Sequence, residues 1–391
     1  MEKLLTKYAD KLYRQGLCEK DAPLLGGIDA EILWNREDPR IPLLEEVIGG
    51  LNINSLLFAA PREPYFSLIE YLAAETGPSG SISPQDSETR TFLHDIPVIA
   101  DFSAPEIIAV LKRRKAVIIR GHGLVTFGIV SPEQAFIVFS SVCFACYVKF
   151  FADSYYARKK GPLPAERREL LARAYGFYRS SIAGISERRV TLRAPFADSE
   201  AVLQAIIEAG RLTVECGMVD SFFGNVSLFD GEILYISQTG SSLDELAGCI
   251  DPCPADGSSC AGLTASSEYK AHREIYRNTG MKTVLHGHPR FSVILSMICD
   301  EEECPRRGSC FKDCRKERFI DDIPIVPGEV GTGPTGLCNT LPPAMIGRRG
   351  VIVYGHGLFT VGREDFSDAF ENLKGIEARC FEEYGRLMDL A

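Results

Sequence analysis

Histidine is scarce in this chain of 391 residues, with six in all, and basic residues do not outnumber acidic ones. Forty-three Lys and Arg against 53 Asp and Glu leave a net charge of −10, which argues against a nucleic-acid surface. No clean apolar run of membrane length stands out. The most apolar stretch, Ala135–Phe151, is short and carries Ser140, Ser141 and Lys149, so it predicts a buried helix. The first residues, MEKLLTKYADKLYRQG, lack the continuous apolar core and small-residue cleavage site of a signal peptide and predict an amphipathic helix. The expected location is the cytoplasm, with the 13 cysteines as thiols or metal ligands. No Walker loop or Rossmann loop occurs, and the cysteine run from Cys299 to Cys314 holds no CxxC pair. Hydrophobic residues at 45% and charged residues at 25% are the balance of a globular protein, and the length allows two or three domains.

What the chain does have is an internal echo. Asp29-Ala30-Glu31-Ile32-Leu33 matches Asp230-Gly231-Glu232-Ile233-Leu234 at an offset of 201, and Gly16 matches Gly217 at the same offset. Pro61-Arg62 matches Pro289-Arg290 at 228, and Asp95-Ile96-Pro97 matches Asp322-Ile323-Pro324 at 227. Gly121-His122-Gly123-Leu124 matches Gly355-His356-Gly357-Leu358 at 234. The offset lengthens by 27 residues between Leu234 and Pro289 and by 7 between Pro324 and His356. Matches in one order with a drifting offset predict a duplicated domain. The expected division is 1–157, a linker with a helix at 158–195, and 196–391. Short apolar strands alternating with helical patterns predict an α/β fold in each copy.

Three of the six histidines sit in short apolar segments of the second copy. In TVLHGHP, His286 and His288 stand two apart on a predicted strand, so both imidazoles face one side. In VIVYGHGLFTVG, His356 closes another predicted strand. Three neutral imidazoles on adjacent strands form a tripod for Zn²⁺ with positions left open for substrate. Upstream, Ser266 and Ser267 precede Glu268 at the start of a predicted helix. The simplest role for these residues is a serine N-cap with an acidic residue complementing the helix dipole. The same geometry suits a phosphate held at a helix N-terminus beside a general base. Gly224-Asn225-Val226-Ser227 and Gln238-Thr239-Gly240-Ser241-Ser242 are ordinary turns alone, and together with SSE they supply amides and hydroxyls for an anion.

GNVS, TG, SSE, HGHP and GHG, in this order and spacing, resemble the class II (zinc-dependent) aldolase/adducin family over about 199–387. The resemblance implies two tandem α/β/α domains, each a central mostly antiparallel sheet flanked by helices. It implies His286, His288 and His356 as ligands of one zinc or other divalent ion, and Glu268 as the acid/base. It implies Asn225, Thr239, Gly240, Ser266 and Ser267 as holders of a substrate phosphate. The implied reaction is the cleavage or formation of a carbon–carbon bond in a sugar phosphate through a metal-stabilised enediolate. Epimerases of the family resemble SSD where this chain has SSE, which favours aldolase chemistry. Epimerisation or dehydration on the same site and a non-catalytic adducin-like scaffold are the alternatives.

In the first copy the offsets place Phe58 at His286, Ala60 at His288, Arg40 at Glu268 and Leu24 at Asn225, leaving only His122. That copy is expected to keep the fold without the metal site. The family's ring of four domains implies a dimer of two-domain chains, and no nucleic-acid or membrane partner is expected. Eight of the 13 cysteines lie between Cys249 and Cys338, with ICDEEECPRRGSCFKDC at their centre. Scattered thiols, a second metal or iron–sulfur site, and redox-labile disulfides are the three readings of that run.

Overall fold

The computed structural model describes residues 1–77, 80–219, 222–258, 264–301, 303–306, 308–314, 316–329 and 333–390. The chain divides into two compact units, Met1–Phe177 and Tyr178–Ala391. The first contains α1 (Glu2–Arg14), β1 (Leu24–Ile28), β2 (Ile32–Trp34), α2 (Ile41–Gly49), β3 (Ser55–Ala59), α3 (Tyr65–Glu75), β4 (Ser81–Ile82), α4 (Ser87–Leu93), β5 (Ile96–Ile99), α5 (Ala104–Leu111), β6 (Ala116–Ile119), β7 (Gly123–Gly128) and α6 (Pro132–Lys160). Helix α7 (Ala165–Ile185) runs across the division. The second unit continues with α8 (Ser199–Glu215), β8 (Asn225–Phe229), β9 (Ile233–Ser237), β10 (Ile250–Pro254), α9 (Tyr269–Thr279), β11 (Thr283–Gly287), α10 (Arg290–Met297), β12 (Arg318–Ile320), β13 (Ile323–Val326), α11 (Leu337–Met345), β14 (Gly350–Val353), β15 (Gly357–Gly362) and α12 (Phe366–Met388).

Each unit is a sheet flanked by helices. The strand orders are β2-β1-β3-β7-β6-β5-β4 and β10-β9-β8-β11-β15-β14-β13-β12. Without β10 the second order repeats the first, strand for strand. Each sheet is antiparallel apart from one parallel pair, β5 with β6 and β13 with β14. The register repeats too. Leu57 opposes Thr126 in the first unit, and Leu285 opposes Thr360 in the second, at the offsets 228 and 234 read from the sequence. Side-chain bonds recur at these positions. Thr126 Oγ1 donates to Ala135 O and Thr360 Oγ1 to Ala369 O, each at 2.8 Å. Ser55 Oγ donates to Ser131 O and Thr283 Oγ1 to Asp365 O, each at 2.9 Å. In both units a buried strand hydroxyl thus ties the sheet to the start of the long final helix.

Elementary signals set the ends of the elements. Asp365 caps α12, its carboxylate accepting the Ser367 N–H at 2.8 Å. Helix α6 starts with proline directly after Ser131. Helix α9 stops at Gly280, whose φ of 68° is the left-handed conformation glycine adopts at no steric cost. In the second unit, α9 and α11 cover one face of the sheet through Ala271, Ile275, Leu337, Leu341 and Met345. Helix α12 packs on β11 and β15 with α8 and α10 beside it. Helix α6 is long and apolar enough to cross a membrane, but 89% of its most apolar window is buried inside the structure. It packs on α1, α3, α4 and β7 of its own unit, as an apolar core helix does.

The longer of the two sequence steps lies between β9 and α9, where the second unit carries β10. In the first unit the chain passes from Trp34 to Ile41 in a few residues.

Candidate metal centre

The three histidines converge. Strand β11 carries His286 opposite Phe359 of β15, and β15 begins at Gly357, one residue after His356. His288 lies just past the end of β11, not on the strand as the alternation predicts, and still points to the same place. One nitrogen from each ring lies within 4.8 Å of the others, and His286 Nε2 and His288 Nε2 are 3.1 Å apart. Bonds of about 2.1 Å at a tetrahedral zinc put ligand nitrogens about 3.4 Å apart, so small ring rotations bring this set onto one ion. His286 Nδ1 meets Leu358 O at 3.2 Å. A proton held on Nδ1 by that carbonyl leaves the Nε2 lone pair aimed at the centre. The ring of Phe359 lies parallel to His286, centroids 3.8 Å apart. All three imidazoles are buried, which suits neutral donors for a borderline-soft cation.

Glu268 completes the group. Its Oε1 lies 3.0 Å from His356 Nε2 and its Oε2 3.7 Å from His286 Nε2. Asn225 Nδ2 donates to Oε2 at 2.6 Å. Burial alone would raise this carboxyl. The charge of His286, the hydrogen bond and charge of His356 and the Asn225 amide outweigh burial and hold it well below the usual carboxylate range. His288 is pushed far below the ordinary imidazole value by burial and then by the charges of His286 and His356. The centre therefore holds an ionised carboxylate beside a His288 kept neutral.

The serine cap expected at α9 takes another form. Glu268 itself is the N-cap residue and makes no side-chain cap bond, because its carboxylate turns to the histidines. Ser266 Oγ accepts the Glu268 N–H at 3.3 Å, which closes a short turn ahead of the helix instead of capping it.

The other expected residues form a neighbouring loop pair. Thr239 N–H donates to Thr264 O at 2.9 Å and Thr239 Oγ1 to Ala265 O at 3.0 Å. A bridge between Gln238 and Ala265 joins the same two loops. Gly240, with φ 72°, turns the chain there. Thr239, Gly240 and Ser267 are exposed, whereas Asn225 and Ser266 are buried.

A polar chain behind the centre was not read from the sequence. Ser227 Oγ lies 2.6 Å from both His272 Nδ1 and Tyr276 Oη. Burial and then the His286 charge set the His272 imidazole down at about 3, against the opposing pull of the Glu268 carboxylate. The signal was available: His272 follows Glu268 by four residues and so shares its face of α9.

In the first unit the equivalent positions hold other chemistry. The Arg40 guanidinium stacks over Phe58 at 4.7 Å and pairs with Asp38 at 2.6 Å. Phe58, Phe102 and His122 form a stack. Among the described residues the histidine trio is the one group placed to hold a metal ion. In the cysteine run, Cys310 Sγ and Cys314 Sγ each reach a nearby backbone carbonyl. Cys304, Cys310 and Cys314 are free thiols, and Cys260 lies outside the described residues.

Residues 204–383 match the family model for the Class II Aldolase and Adducin N-terminal domain. An L-fuculose phosphate aldolase of Methanococcus maripaludis is 27% identical over 188 residues, 47% of this chain and 94% of the relative. Among solved structures, an L-fuculose-1-phosphate aldolase of Thermus thermophilus is 22% identical and aligns with 48% of this chain and 92% of its own, at a TM-score of 0.37. A sugar-phosphate aldolase of Thermotoga maritima is 16% identical and aligns with 49% and 97%, at a TM-score of 0.36.

Proposed function

We propose, from the match of residues 204–383 to the Class II Aldolase and Adducin N-terminal domain, that the second half of this chain is such a domain and that the protein is a metal-dependent aldolase that cleaves or forms a carbon–carbon bond in a sugar phosphate. The observation that carries this reading is the convergence of His286, His288 and His356 against the buried carboxylate of Glu268. A divalent ion bound there, zinc by the donor set, supplies the Lewis acidity that stabilises negative charge beside a carbonyl. Glu268, ionised in this centre, moves the proton at the carbon that gains or loses its partner. Asn225 orients that carboxylate. Its Oδ1 is buried without a partner among the described residues and is free to accept a substrate hydroxyl. Thr239, Gly240, Ser266 and Ser267 supply hydroxyls and amides for the phosphate. The joined loops at Gln238 and Ala265 support that assignment.

The repeated strand order, register and hydroxyl bonds support descent of the two units from one duplicated domain, with 1–157 and 196–391 as the copies. Phe58, Ala60 and Arg40 make the first copy the one without a metal centre. A cytoplasmic homodimer of two-domain chains belongs to the same reading.

The test has two arms. Wild-type protein is expected to carry bound zinc and His286→Ala to have lost it, by elemental analysis. With a panel of ketose 1-phosphates, wild type is expected to release a triose phosphate, and Glu268→Gln to lower kcat by about 10²- to 10⁴-fold with metal retained. A product with its carbon chain intact would assign epimerase or dehydratase chemistry instead. Absence of any turnover with zinc bound would leave the scaffold alternative.

A further inference from the structure

Helix α10 connects the two segments that carry the histidines. Its N-cap residue, Pro289, directly follows His288. Near its other end, Ser296 Oγ accepts the N–H of Gly355 at 2.8 Å, the residue before His356. Whatever fixes α10 therefore fixes His288 and the His356 turn together.

What fixes it is a buried carboxylate from α12. Glu377 has no exposed surface. Its Oε1 accepts the Phe291 N–H at 2.8 Å and the Tyr178 hydroxyl at 2.7 Å. Its Oε2 accepts the Ser292 N–H at 2.8 Å and the Ser292 hydroxyl at 2.7 Å. Phe291 and Ser292 are the second and third residues of α10, whose first-turn N–H groups have no partner inside the helix. Four donors on one buried carboxylate, at the positive end of a helix, hold that end rigidly.

The first unit shows what becomes of this arrangement where the histidines are missing. At the offsets 234 and 228, Cys143 stands for Glu377, Pro64 for Ser292 and Leu68 for Ser296. Cys143 and Leu68 are as buried as their counterparts, and Pro64 has no N–H to donate. The N–H of Gly121, counterpart of Gly355, goes instead to Glu70 at 3.0 Å. The fold is kept without the buried carboxylate, so the fold alone does not require it.

We propose that Glu377 is a positioning residue for the metal centre: through α10 it sets His288 directly and His356 by way of Ser296. This rests on the proposed metal-binding role of the three histidines. The test is zinc affinity, measured on the full chain by competition with a chromophoric chelator, alongside thermal unfolding of the metal-free protein. Glu377→Gln replaces one acceptor oxygen with an amide that faces donors, and it is expected to weaken zinc binding by about 10- to 100-fold. Ser296→Ala removes the bond to Gly355 together with the hydroxyl's own bond to Val293 O within α10, and is expected to weaken zinc binding by several-fold in a variant that still folds. Leu373→Ala, buried on the same helix, is expected to lower the unfolding temperature and leave zinc affinity within about two-fold of wild type. Wild-type affinity in both Glu377→Gln and Ser296→Ala, with zinc binding abolished in His286→Ala, overturns this proposal alone. Zinc binding that His286→Ala does not alter overturns the metal reading and this proposal with it.

Discussion

A proton on His272 would have no water to share it with. Its imidazole is fully buried, and its pKa of about 3 lies beneath the ordinary value of about 6.5 in an unfolded chain. Between those values the unfolded chain binds the extra proton and the folded one does not. The stabilisation from a neutral His272 is complete above about pH 6.5 and is lost as pH falls, by up to about 1.4 kcal/mol per pH unit. His272→Gln is expected to flatten the fall in stability between pH 6.5 and 4, as measured by urea unfolding. Equal slopes in both proteins would show that another group carries the dependence. At this scale the sequence was most legible where residue type alone dictated chemistry. His286, His288, His356 and Glu268 could be picked out because few other side chains bind a divalent cation or move a proton. Glu377 could not, since a lone glutamate on a helix reads as an ordinary surface residue until its burial and partners are known; His272 was marked only by its four-residue spacing from Glu268.

Strand pairing explains a glycine beside the centre. A Cβ on Gly357 would lie 2.4 Å from Gly287 O, 2.7 Å from His286 Cε1 and 2.7 Å from His288 Cδ2. Gly357→Ala is therefore expected to reduce bound zinc to less than about a tenth of wild type with the helical circular dichroism unchanged; full zinc content in that variant would show that the strands can separate to make room. The counterpart Gly123 faces the same obstacle, 2.4 Å from Ala59 O, with no ligands nearby. The GHG repeat that helped to reveal the duplication is thus partly a backbone requirement. Element types followed from apolar spacing, as in α1 and in the buried α6. The position of His288 beyond its strand, and Glu268 as the cap of α9, depended on where hydrogen bonding stops, which periodicity does not encode.

For the molecule as a whole, the two units predict a metal stoichiometry. The first offers Phe58, Ala60 and Arg40 where the second offers His286, His288 and Glu268, so one ion per chain is expected from elemental analysis against protein concentration. Two ions per chain would contradict the loss of the first centre. The proposed dimer is expected to sediment at twice 43.1 kDa, and a monomer at micromolar concentration would remove it. The duplication was legible in the drifting offsets because insertions shift numbering without disturbing pairing; strand order and register were not, since pairing across the sheet leaves no mark in spacing.

The segment between β9 and α9 sets a bound on re-engineering. It supplies β10 and Ala265, which bridges to Gln238, and the first unit has a short link in its place. Writing His into positions 58 and 60 would place two donors where the Arg40 guanidinium already stacks, in a sheet with no counterpart of β10. A transplant of the whole β9-to-α9 stretch, with the arginine removed, is the smallest graft with the parts for a second working centre.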